Sequence, residues 1–177
     1  MSSARADSLS DEDVIDLVLE GDREAFSILL LRHRPRVRRL GMSFFHDQED
    51  ADDFTQDVFV KAYTALGSFQ GKSSFSTWLL RIAYNTAINA VQRRRDNLPI
   101  GPDDELYGEG GADESHERNE MIRAVRSAMA ELPPRQAVCI ELYFYYNLRY
   151  SEISEVTGFP VNTIKSHVFR AKKLLRE

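Results

Sequence analysis

Apolar residues recur every three or four positions along most of the chain, and alternation with a period of two is almost nowhere. Ser10 with Asp13 resembles a capping box, Asp standing in for Glu or Gln, and predicts a short helix through Leu19 that Gly21 closes. Asp22 is placed to cap a second helix, with Phe26, Leu29, Leu30, His33, Val37 and Leu40 as its stripe. A third runs from about Glu49 to Ala65 on Ala51, Phe54, Val58, Phe59, Ala62 and Tyr63. After a Gly/Ser loop, a fourth runs from about Phe75 to Arg95 on Phe75, Trp78, Leu79, Ile82, Thr86 and Ala90. Met121, Ala124, Val125, Ala128 and Leu132 mark a fifth, which Pro133 and Pro134 break while opening the next. That next helix holds Ala137, Cys139, Ile140 and Phe144.

The last residues predict two short helices around a tight turn. Ser151 is a candidate N-cap for the first, which buries Ile153 and Val156. Gly158 permits positive φ and Pro160 stops a continuous helix. The final helix has Val161, Ile164, Val168 and Ala171 as its inner stripe. Its outer face carries Asn162, Lys165, Ser166, His167, Phe169, Arg170 and Lys173. A cationic amphipathic helix after a Gly-containing turn is the major-groove reader of a helix-turn-helix. An αα-hairpin with a solvated basic face has the same local pattern. The expected fold is all-α, with two small helical domains at 1–96 and 121–177. A flexible acidic linker at 97–120, with glycines and prolines among the acids, joins them.

Charge sharpens that division. The net charge of −5 argues against a protein that coats nucleic acid indiscriminately. Residues 97–120 hold eight acids and one base, whereas 121–177 hold nine bases and five acids, so a positive C-terminal unit follows an acidic segment. The lone Cys139 excludes an intramolecular disulfide and a Cys-rich zinc site, and reads as a small core residue. No metal or other cofactor is expected: His33 lacks a partner at ligand spacing, and the Asp-rich third helix lacks a calcium loop's glycine. A polar N-terminus without an apolar signal core and the absence of a spanning run predict a cytoplasmic protein without membrane insertion.

Three segments together resemble the extracytoplasmic-function group of bacterial RNA polymerase sigma factors, in that family's order and spacing. They are the acidic helix Gln48–Tyr63, the segment Phe75–Ala87 with its Trp and Asn residues, and Leu132–Gln136 with the helix-turn-helix. The resemblance implies a sigma region 2 domain at 1–96 and a region 4 domain at 121–177. It implies that Asp53, Phe54, Gln56 and Asp57 bind the clamp helices of the largest subunit of core polymerase, with region 4 on the flap of the second subunit. Lys72, Trp78, Arg81, Tyr84, Asn85, Asn89, Arg93 and Arg94 match the surface that melts and holds the −10 element, although Trp78 also lies on the apolar stripe. Lys165, Ser166, Phe169 and Arg170 match −35 contacts, Asn162 and Thr163 near the helix start can hold phosphate, and Lys172 and Lys173 are expected to add backbone attraction without sequence information. His167 stands where many members have Arg. An anti-sigma partner is implied too, and the linker is either an RNA mimic in the polymerase channel or a soluble spacer.

Rival readings make different demands. A stand-alone helix-turn-helix regulator explains the C-terminal unit equally well, but not the acidic helix followed by the Trp/Asn/Arg helix. A helical adaptor without nucleic acid contact predicts that Lys165 and Arg170 are dispensable. An enzyme is disfavoured: the His residues are scattered, and neither a phosphate-cradling Gly loop nor a nucleophile–base spacing occurs.

Overall fold

The computed structural model describes residues 9–97 and 134–174, which contain helices and turns and no strand. In chain order the helices are α1 (Asp11–Leu19), α2 (Phe26–Phe45), α3 (Gln48–Ala65), α4 (Phe75–Asn97), α5 (Pro134–Phe144), α6 (Tyr150–Thr157) and α7 (Val161–Leu174). The chain divides into two compact units between Asp104 and Glu105. The helix expected at Met121–Leu132 lies outside the described residues, as does the acidic segment 97–120 apart from Asn97, which ends α4.

Local signals set the ends of the first unit's helices. Ser10 Oγ accepts from Asp13 N at 3.1 Å, and Ser10 N donates back to the Asp13 carboxylate at 2.9 Å, completing the capping box. The Ser10 hydroxyl, 2.7 Å from the Asp13 carboxylate, and then the Ser10 amide hold the Asp13 carboxyl below its usual range. Gly21, at φ +113°, ends the turn after α1. Asp22 then caps a single 3₁₀ turn that runs into α2. Helix α2 continues through Pro35; the carbonyl one turn earlier, on Leu31, loses its amide partner, but Leu31 and Pro35 both face water. His46 closes α2 in the left-handed region, at φ 56°, and Asp47 caps α3 at once, accepting from Asp50 N at 2.9 Å. The two-residue link makes α2 and α3 an antiparallel pair.

That pair meets at Gly41. A Cβ built there would lie 2.7 Å from Phe54 Cδ1 and 3.2 Å from Ala51 Cα. Around this contact Leu29, Val37, Leu40, Val58 and Ala62 are buried. Arg38 Nε donates to Asp52 Oδ1 at 2.8 Å, which holds the Asp52 carboxyl below its usual range. The expected packed His33 is buried, with Nε2 2.7 Å from Asp11 Oδ2 and its ring edge-on to Phe75 at 5.2 Å. Arg32 grips the other oxygen of Asp11 at 2.9 Å, so one carboxylate ties α1 to α2. On α4 the buried stripe is broader than its spacing predicted. Leu80, Ala83 and Ala87 join Phe75 and Leu79, while Ile82 and Ala90 are only half-buried.

The second unit packs α5, α6 and α7 around Cys139, Ile140, Leu142, Ile153, Ile164 and Val168. Burial pushes the Cys139 thiol up to about 12, so it stays a protonated, inert core group near neutral pH. Three expectations are corrected here. Phe144, at the end of α5, is 56% exposed; Val161, in the first turn of α7, is 36% exposed because the chain there has just left the Gly158 turn. Ser151 is not the N-cap: α6 starts two residues earlier than that cap implies, at Tyr150, with Arg149 as its cap. Ala171 has no described side chain.

Gly41→Val should destabilise the protein by about 2–3 kcal/mol, because the added carbons have no room without separating α2 from α3. Denaturant unfolding measures it, and an unchanged midpoint would contradict the close approach.

Candidate functional site

Three helices each bury one stripe and leave a chemically distinct stripe in water. On α3, Asp53, Gln56, Asp57 and Val60 fall on one exposed row, since spacings of three and four return to the same side. Asp57 is not bare: Lys61 Nζ reaches its Oδ2 at 3.2 Å and Thr86 Oγ1 of α4 at 3.3 Å. An exposed pair of this kind contributes about 0.3–0.5 kcal/mol, so a partner's arginine can displace Lys61. Phe54 sits about 100° round from Asp53 and is buried against Phe45 at 5.4 Å. It packs behind the acidic row, as its place beside that row in the sequence implies. Open grooves flank the row. One of about 460 Å³ lies toward α4, with Phe54, Thr86 and Ala90 in its lining. Another of about 570 Å³ lies toward α2, with Phe26, Leu30, Phe59 and Tyr63. Tyr63, expected on the buried side because it continues the core period, is exposed, and Val60 is an exposed apolar residue on the acidic row itself.

On α4, Arg81, Asn85, Asn89 and Arg93 form one exposed row of cations and amides, each four residues from the last. Trp78 begins that row and is half-buried, in edge contact with Phe69 at 5.3 Å and tilted against Phe75 at 5.6 Å. Lys72 is exposed in the preceding turn, next to Gly71 at φ +65°. Tyr84 is corrected: it lies about 100° off the row, is only 8% exposed and packs on Phe44 at 6.3 Å. No base can stack on its ring without opening the core. Arg94 lies on α4, with no described side chain.

On the second unit the helix-turn-helix is built by local bonds. Arg149 N donates to Glu152 Oε2 at 2.8 Å, which starts α6 and lowers the Glu152 carboxyl below its ordinary value; the Arg149 guanidinium adds to this from 3.2 Å. Gly158, at φ +74°, ends α6 with its amide on Ser154 O at 2.8 Å. Ser154 Oγ then holds the Phe159 carbonyl at 2.6 Å, fixing the turn. Helix α7 buries Ile164 and Val168 and exposes Asn162, Lys165, Ser166, Phe169, Arg170 and Lys173. Phe169 is 71% exposed, a large ring left in water on a cationic face. Ser166 Oγ donates back to Asn162 O at 3.0 Å. Thr163 is half-buried at the edge of the outer face. His167 too is half-buried, edge-on to Phe159 at 6.1 Å, and lies on the flank of the helix. Arg149, exposed at the start of α6, is a cation of the motif that was passed over for lack of any helical period in its own loop.

The two units match two family models: Sigma-70 region 2 over residues 29–96, and Sigma-70, region 4 over residues 122–175. Those matches define the class, a sigma factor carrying regions 2 and 4. The chain is 34% identical to the RNA polymerase sigma-H factor of Pseudomonas aeruginosa, over 93% of this chain and 91% of that one. It is also 34% identical to the ECF RNA polymerase sigma-E factor of Escherichia coli, over 96% of this chain and 94% of that one. Among solved structures, CnrH in complex with the cytosolic domain of CnrY is similar, with TM-score 0.68 and 26% identity over 92% of each chain. The chain belongs to the sigma-70 family, in its extracytoplasmic-function group. Its function is that of an alternative sigma factor rather than a stand-alone DNA-binding regulator. No described helix is long and apolar enough to cross a membrane.

Glu152 has a depressed folded value, so its contribution to stability is complete above its ordinary value of 4.5 and is lost as pH falls through the lower folded value. Glu152→Ala should therefore cost about 1 kcal/mol at neutral pH. It should also flatten the acid limb of unfolding below pH 4.5. An acid limb identical to the parent's would remove the capping role.

Proposed function

We propose that this protein binds core RNA polymerase through the outer face of α3, holds the −10 element as single strand on α4, and reads the −35 element as duplex with α7. The observation that carries the reading is the sorting of surface chemistry by helix: acids on α3, amides and cations on α4, cations with one bare ring on α7. An acidic row between two grooves suits basic partner helices, and Asp53, Gln56 and Asp57 pair with their cations, as on the clamp helices of the largest subunit. Single-stranded DNA is held by stacking and phosphate contact. Trp78 lends its exposed edge, Arg81, Asn85 and Asn89 meet bases, and Lys72, Arg93 and Arg94 meet phosphates.

In the major groove, Lys165 and Arg170 read guanine edges, and Phe169 meets a thymine methyl or sugar. Ser166 adds a hydroxyl; Asn162, Thr163 and Lys173 hold the backbone. His167 supports the helix flank against Phe159. In the same reading, 1–96 and 121–177 are the two functional domains, 97–120 is the connection, and the second domain also meets the polymerase flap. The protein acts in the cytoplasm as a non-catalytic initiation factor, without a cofactor. An anti-sigma partner is part of the proposal, supported by the CnrH complex with a cytosolic domain of CnrY.

Two substitutions test the assignments. Asp57→Arg should abolish binding to core polymerase while leaving unfolding within about 0.5 kcal/mol of the parent, as expected for an exposed position. Normal core binding by that variant would show the polymerase face to be elsewhere. Arg170→Ala should cost about 1–3 kcal/mol of promoter binding and relax preference at one −35 position. A uniform loss across all −35 variants would make it a backbone contact instead.

A further inference from the structure

We propose that Lys172 is a positioning residue whose ammonium, seated on aromatic rings of α5, fixes the C-terminal end of α7 and so sets how strictly that helix discriminates −35 sequences. The inference rests on the reading of α7 as the duplex reader. Lys172 and Lys173 are adjacent in sequence but about 100° apart around the helix. Lys173 lies in the exposed row with Lys165 and Phe169, at spacings of four. Lys172 lies four residues after Val168 and eight after Ile164, both buried, so it continues the inner stripe.

Its surroundings agree with that placement. Lys172 Nζ is 4.7 Å from the Tyr143 ring centre and 4.9 Å from that of Phe144, within cation–π range of both. Tyr143 in turn stacks on Tyr150, with centres 5.1 Å apart and planes 13° apart. Tyr150 opens α6, whereas Tyr143 and Phe144 close α5. One cation therefore ties the end of the recognition helix to the end of α5 and, through a ring stack, to the start of α6. Of the two described side chains in the last turn of α7, Lys173 is exposed and Lys172 is half-buried against the rings of α5. A helix free to pivot keeps its charge near DNA but holds its base-reading side chains less strictly.

Phosphate binding and positioning leave different signatures. A cation on a phosphate adds about 0.9 to the slope of log affinity against log salt and is indifferent to base sequence. A cation on aromatic rings adds nothing to that slope. The experiment measures holoenzyme, made from the full chain and sigma-free core, binding promoter fragments with an intact or a substituted −35 element across a salt series. Lys172→Met should lower the preference for the intact element about two- to fivefold, the range of an exposed cation–π contact, with an unchanged slope. Lys172→Arg should restore the preference, since guanidinium also sits on rings. Phe144→Leu, at an exposed position, should move it in the same direction as Lys172→Met without unfolding the unit. Lys173→Met should do the opposite, losing about 0.9 of slope and keeping the preference. A slope loss at Lys172→Met with the preference intact would make Lys172 a phosphate ligand and overturn the proposal. So would an unchanged preference in both Lys172→Met and Phe144→Leu. If Arg170→Ala also leaves the preference unchanged, the reading of α7 itself fails and takes the proposal with it.

Discussion

The close approach of α2 and α3 at Gly41 is the contact on which the first unit depends. Without a side chain there, the Ala51 backbone and the Phe54 ring come against α2. This buries one side of α3 and turns Asp53, Gln56 and Asp57 outward as a row. Any larger residue would change the rotation or the spacing of α3, and with it the direction of every carboxylate on the row. The ion pair of Arg38 with Asp52 guards the same geometry from the rim. Exposed pairs contribute little energy, so its value lies in register, while buried apolar surface supplies the stability.

A similar economy governs the second unit, where the pieces are shorter. Helices of eight and fourteen residues do not persist alone in water. They persist because Ile153, Val156, Ile164 and Val168 share a core with α5, and because Gly158 lets the chain reverse without strain. What α7 can present to DNA is then whatever remains after that core is satisfied. Function and folding divide the circumference of one helix between them, with His167 and Lys172 half-buried on the dividing line.

Most of this division was legible in the sequence. A three-to-four period identifies a helix and its inner stripe, and capping residues such as Ser10 and Asp22 mark the starts. The exposed rows of α3 and α7 follow as complements of those stripes. The misplacements have tertiary causes. Tyr84 carries a polar tip that suits a surface, but its position faces Phe44. Phe144 and Val161 are apolar at the ends of helices, where the period persists but the side chain is left exposed. Gly41 reads as an ordinary weak point in a helix; only the partner helix gives it a purpose. The α6 start was misjudged because a hydroxyl at Ser151 is a better cap by type than Arg149. The reach of Glu152 back to the Arg149 amide decided the boundary instead.

The central claim is that the two units act together, through polymerase, to choose where transcription begins. The most direct measurement adds the purified protein to sigma-free bacterial core polymerase on a promoter-fragment library and maps RNA 5′ ends. The account predicts defined starts sharing two upstream elements, with signal lost when the protein is omitted. Specific duplex binding by the protein alone, with no core binding and no mapped starts, would contradict it.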